Sequence, residues 1–150
     1  GRSIRFEARG NSMAPLVRTG DVLVVGPVSP EAVRVGDVIL CSLGPGCVVA
    51  HRVIRVVRGV DGPLFLVQGD RLRQPDGTIP ATHCFGRVTV VERGGRRIDM
   101  NRPATQLLGR AAVLRSRWKT ARGLPSRLAR QALPRKNQAS NILPKGSNKG

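Results

Sequence analysis

The sequence predicts a mainly β domain over residues 1–100, a compact barrel or sandwich of short strands, followed by a basic amphipathic helix and a disordered tail. Three observations carry this. Apolar residues make up 40% of the 150-residue chain but aromatics only 3%. Val outweighs Leu until about residue 100, so the core must come from β-branched aliphatic side chains, which fit a pleated surface. Short apolar runs recur between clusters of Gly, Pro and Asp, the spacing of a small all-β fold. From Pro103 onward the apolar period lengthens to that of a helix.

The elements follow in order. Residues 4–8 alternate as a short strand and end in the turn Arg9-Gly10-Asn11. Gly20-Asp21 introduces a strand at 22–25, closed by Gly26-Pro27, and Gly36-Asp37 introduces another at 38–41. That strand turns through Ser42-Leu43-Gly44-Pro45-Gly46 into a long apolar run at 48–57. Residues 64–68 form the next strand, stopped by Gly69-Asp70. Residues 87–92 form the last, ending at Gly94-Gly95, with Ile98-Asp99 as a brief extension. Pro103 suits the first turn of a helix. Leu107, Ala111, Leu114, Trp118 and Ala121 then recur at helical spacing, widened by Leu108 and Ala112 and edged by arginines. The helical segment is expected over 101–133, with a weaker basic helix at 126–133, and a polar, disordered tail over 134–150.

Charge divides the chain the same way. Residues 1–92 hold 11 Lys/Arg against 8 Asp/Glu, whereas residues 93–150 hold 15 against Asp99 alone. The β domain is nearly neutral and the C-terminal part is a polycation, which seeks phosphate on lipid headgroups or on nucleic acid. The three cysteines have no framework spacing. Cys41 and Cys47 flank the hairpin turn and could face each other as a disulfide in an oxidising compartment, although two small apolar strand residues explain them as well. Cys41, Cys47, His51, His83 and Cys84 have zinc-ligating chemistry but no tight ligand pair. No motif calls for a cofactor or a metal, and no run reaches the roughly 20 apolar residues of a membrane span.

Three segments carry chemistry. Ser12 lies in Gly10-Asn11-Ser12-Met13-Ala14-Pro15, between a glycine turn and a Pro-restricted stretch that can hold its hydroxyl at a fixed angle. His51 lies in the apolar run Ala50-His51-Arg52-Val53-Ile54. A histidine is the usual base for a serine hydroxyl, because an imidazole is largely neutral at pH 7. Asp70 and Asp76 share a loop, and either could accept the second ring N–H of such a histidine and fix its tautomer. Each segment alone also fits an ordinary turn, core histidine or solvated charge.

Their order is more telling. GNSMAPLVRTGDVLVV, then VRVGDVIL, VVAHRVIRV and FLVQGDRLRQPDG resembles the type I signal peptidases, in the endoplasmic-reticulum-type branch whose base is histidine. Ile79-Pro80 through Phe85-Gly86-Arg87-Val88 is similar to that family's closing strand. The resemblance, over residues 9 to about 92, implies a fold of the signal peptidase/LexA kind. It implies Ser12 as nucleophile, His51 as base, and Asp76 in the third catalytic position, preferred over Asp70, which matches the Gly-Asp acid before it. Here Arg71-Leu72-Arg73-Gln74-Pro75 replaces the family's Asn-rich stretch.

The implied activity is serine endopeptidase cleavage of signal or leader peptides, with an extended precursor substrate added to a strand edge and the Ser12 N–H as first oxyanion donor. Family members carry a transmembrane helix before the serine, whereas eleven residues precede Ser12. The expectation is therefore membrane association, either through an N-terminal segment outside this sequence or peripherally, with the 103–122 helix on an anionic surface. A cytoplasmic location is the remaining option. The alternative from another class is a non-enzymatic β-domain binding protein whose basic arm takes nucleic acid. It rests on the polycationic tail alone, with no nucleic-acid-reading motif or aromatic platform.

Overall fold

The computed structural model describes residues 2–121, with side chains to residue 115. The expected tail over 134–150, the weaker helix at 126–133 and Trp118's side chain lie outside the described residues. The described chain is mainly β, with one C-terminal helix. Its strands are β1 (Ile4–Glu7), β2 (Val22–Gly26), β3 (Val38–Gly44), β4 (Cys47–Gly59), β5 (Gly62–Gln68), β6 (Gly77–Pro80), β7 (Cys84–Arg93) and β8 (Arg96–Asp99), followed by α1 (Pro103–Ala121). They form one antiparallel sheet in the order β1-β2-β7-β3-β4-β5-β6, with β8 paired to β7.

The sheet has a core on each face, and β3 joins them. Val38 and Leu40 pack with Met13, Val17, Leu23, Val25, Val88 and Val91. Ile39 and Cys41, from the opposite face, pack with Val53, Phe65, Val67 and Ile79. Residues 38–41 are therefore all buried, which explains why this stretch reads as a continuous apolar run rather than an alternating one. Phe65 is the largest fully buried side chain; the rest of the buried core has no aromatic side chain and is mostly aliphatic, as the composition predicts.

Two four-residue turns repeat one device. In Arg18-Thr19-Gly20-Asp21 the Asp21 N–H donates to Arg18 O, and the Arg18 N–H donates to Asp21 Oδ2 at 2.7 Å. In Arg34-Val35-Gly36-Asp37 the Asp37 N–H donates to Arg34 O, and the Arg34 N–H donates to Asp37 Oδ2 at 2.9 Å. The third position has φ of +86° in one and +102° in the other, a conformation that glycine adopts without a Cβ penalty. Each turn launches a core strand.

One expectation needs correction, at the closing strand, and the structure also gives the positions of the cysteines and of the helix stripe. Cys41 lies opposite Val49, and Cys47 opposite Gly44; the chain reverses tightly at Pro45-Gly46, so the two cysteines are offset and all three thiols are free. The segment after Asp76 is not one closing strand but β6, a short 3-10 turn at Ala81–His83, and β7. Leu107, Ala111 and Leu114 of the expected helix stripe are exposed, and α1 rests on the sheet through Gly109 and Val113. A Cβ on Gly109 would sit 2.8 Å from Arg52 Nη1 and 3.3 Å from Gly36 O. Close approach, rather than apolar area, selects this face.

Asp21 also ties the serine-bearing loop to the end of β7. Arg93 Nε and Nη2 donate to its two oxygens at 2.8 and 2.7 Å, and Nη2 also donates to Leu16 O at 2.9 Å. The Arg93 hydrogen bonds hold the Asp21 carboxyl below the usual carboxylate range, aided by the Arg18 N–H and opposed by burial. Its stabilisation is therefore complete above the ordinary aspartate value of about 3.9 and is lost as acidification carries the folded protein through its depressed pKa. Asp21→Asn is expected to lower stability by about 1.5–3 kcal/mol at neutral pH, the range for a hydrogen bond to a charged group. Urea unfolding at pH 7 and under strong acid, where the difference from wild type should shrink, measures it.

Candidate active site

Ser12 is carried by a compact turn between β1 and β2, in which Ala14 N–H donates to Asn11 O and Val17 N–H to Met13 O. Met13, immediately after it, is 3% exposed and anchors the turn in the core, leaving Ser12 partly open. No acceptor among the described residues takes the Ser12 N–H. His51 is buried in the first half of β4, opposite Ile39. The turn and the strand bring Ser12 Oγ to 2.9 Å from His51 Nε2.

The loop between β5 and β6 supplies the acid. Asp76 Oδ2 lies 2.8 Å from His51 Nδ1, with its side chain 16% exposed. The approach is not aligned for a linear hydrogen bond to Nδ1, yet no other described group reaches that nitrogen, so the carboxylate is its electrostatic partner. An anion there favours the tautomer with its proton on Nδ1. Nε2 then presents a lone pair to the Ser12 hydroxyl, which donates across the 2.9 Å gap. The same Asp76 oxygen accepts the Gly69 N–H at 3.1 Å, and Asp76 N–H donates to Val67 O, which fixes the loop to its parent strand.

Asp70, the other candidate acid, is turned away from His51. Arg52 Nε donates to Asp70 Oδ1 at 2.7 Å and Arg52 Nη2 to Asp70 Oδ2 at 2.6 Å, while Nη1 donates to Gly36 O at 2.7 Å. The pair is bidentate, and Arg52 is 2% exposed. Sequence reading passed over Arg52, although a charge inside an apolar run and adjacent to His51 was a visible signal. It also passed over Gly69. A Cβ at Gly69 would lie 3.0 Å from Ser12 Cβ, from Ser12 O and from Leu72 Cδ1, so any larger residue there would crowd the serine turn. Arg71 N–H donates to Ser12 O at 2.8 Å and completes the junction.

A groove of about 460 Å³ opens beside Ser12 and His51, lined by Phe6, Ala8, Met13, Val17, Val48 and Ala50. Residues 47–51 of β4 pair only with β3, and β1 pairs only with β2, so two unpaired backbone edges border the groove. Burial above all pushes the Cys41 thiol up to about 12, with Cys84 and Asp76 adding to it, and burial raises Cys84. Among the described residues no His, Cys, Asp or Glu cluster could hold a metal ion.

Comparison of the chain with protein-family models, with curated proteins and with solved structures found no match. The chemistry of the site therefore rests on its own geometry. Breaking the buried Arg52–Asp70 pair strands a charge, which typically costs about 3–5 kcal/mol. Arg52→Met is expected to lose that much stability by chemical denaturation. The double variant Arg52→Met/Asp70→Leu, which leaves no unpaired charge, should recover much of it.

Proposed function

We propose that this chain is a serine endopeptidase of the signal peptidase I kind, cleaving a signal or leader segment from precursor polypeptides. The carrying observation is the line of Ser12 Oγ, His51 and Asp76, at 2.9 and 2.8 Å.

An extended substrate adds its backbone to the free edges of β1 and β4, which carries a peptide carbonyl toward Ser12. His51 Nε2 takes the hydroxyl proton as Oγ attacks, and Asp76 stabilises the imidazolium that forms. The Ser12 N–H is the first donor for the developing oxyanion. His51 then returns its proton to the leaving amine, and a water hydrolyses the acyl-enzyme by the same route in reverse. The apolar walls of the groove favour small apolar side chains before the cut.

No helix among the described residues is long and apolar enough to cross a membrane. Leu107 and Leu114, seven residues apart and 68% and 56% exposed, form an outer apolar line on α1, beside Arg110. That line suits peripheral contact with an anionic membrane surface.

Cleavage of extended peptides with alanines before the scissile bond tests the activity. Ser12→Ala and His51→Ala should each reduce kcat by at least about 10³-fold with the fold intact by circular dichroism. Asp76→Ala should lower it by about 10²–10⁴-fold. Undiminished cleavage by Ser12→Ala would falsify the assignment.

A further inference from the structure

A second and larger cleft, of about 760 Å³, is lined by α1, by the sheet and by the residues that follow Ser12. We infer that this cleft receives the part of a substrate polypeptide that follows the scissile bond, and that its arginines select acidic residues there. The inference rests on the proteolytic reading above and adds a substrate class to it.

Position is the first argument. Gly69 walls the cleft, and its Cα faces Ser12 closely enough that an added Cβ would touch Ser12 Cβ at 3.0 Å. Ala14 and Pro15, two and three residues past the nucleophile, form the adjoining wall. The groove between β1 and β4 is lined by Ser12 itself, so residues 12 and 14–15 of one turn face the two cavities in succession. An extended chain advances about 3.3 Å per residue, so a peptide leaving Ser12 enters the second cleft within a few residues.

Chemistry is the second. The cleft is floored by Leu16, Leu72, Ile98, Leu108 and Ala112, so it accepts apolar side chains. Four arginines line it, with Asp70 as the one carboxylate among them. Arg52 is matched by Asp70 and Arg93 by Asp21. Arg71 and Arg115 are exposed, and among the described residues no carboxylate pairs with either. The unmatched charge is positive, and its complement is an acidic, partly apolar peptide. The cleft is also preformed, because Gly109 and Val113 hold α1 against the sheet.

An anionic lipid shares that chemistry. The outer line of Leu107 and Leu114 faces away from the cleft, however, and contact with a surface through it leaves the cleft free. A wall shared with the nucleophile favours the peptide.

Binding of a fluorescein-labelled peptide Ala-Ala-Asp-Leu-Asp-Leu to the full chain carrying Ser12→Ala tests this, against the isostere with Asn for both Asp. The acidic peptide should bind about 5-fold more tightly at low salt, the scale of two exposed charge contacts. The preference should vanish in Arg71→Gln/Arg115→Gln and in high salt. Equal affinity for the two peptides, or a preference that survives the double substitution, overturns the inference. So does loss of phosphatidylglycerol-vesicle binding in the double variant without any peptide preference, which assigns the arginines to lipid. Wild-type chain on the same peptides separates the two readings. Cleavage without acidic preference leaves the protease standing and removes the cleft's role. Arginine-dependent binding without cleavage of either peptide removes the protease, and with it the assignment to the segment after the cut.

Discussion

The bidentate grip of Arg52 on Asp70 is the contact on which the site's geometry depends. Two fixed planes meet, and a third arginine nitrogen reaches the carbonyl of Gly36. One buried guanidinium thereby ties β4, the turn before β3 and the β5–β6 loop together. Its neighbour in sequence is His51, and its partner carboxylate begins the loop that ends in Asp76. Both sides of the Asp76–His51 contact are thus referenced to a single charge pair. Such a pair contributes little net stability over an apolar substitute of the same shape; what it contributes here is register.

A second arginine–carboxylate pair, Arg93 with Asp21, anchors the other end of the serine loop. Ser12 hangs between two clamps, with Met13 set into the core beneath it. This arrangement holds a loop side chain to the tolerance that acyl transfer needs, where displacement of about 1 Å is costly.

Much of this was legible in the sequence, and the misses have physical causes. The strands at 22–25, 38–41, 48–57 and 64–68 announced themselves because glycine and aspartate punctuate β-branched runs, and the two Arg-x-Gly-Asp turns are local structures that need no tertiary help. β6 was harder: Gly-Thr-Ile-Pro has one core side chain, Ile79, and pairs only because β5 offers an edge. The contact face of α1 was not legible because periodicity ranks residues by hydrophobicity, whereas α1 docks by proximity, and a glycine contributes nothing to an apolar stripe. Ser12 and His51 were legible as a pair through motif order. The division of labour between Asp70 and Asp76 was not, since it depends on Arg52, a residue that the pattern of apolar runs treats as an interruption.

The small footprint of α1 has a further consequence. Among its residues with described side chains only Gly109 and Val113 are buried, so detaching the helix exposes little apolar surface. Elements with so few buried contacts open at lower cost than the core strands do. What opening of α1 uncovers is the Arg52 guanidinium, against which Gly109 is pressed. Water admitted there raises the local dielectric and weakens the attraction between Arg52 and Asp70. A helix remote from the reacting atoms thus governs how dry, and therefore how rigid, their reference point is.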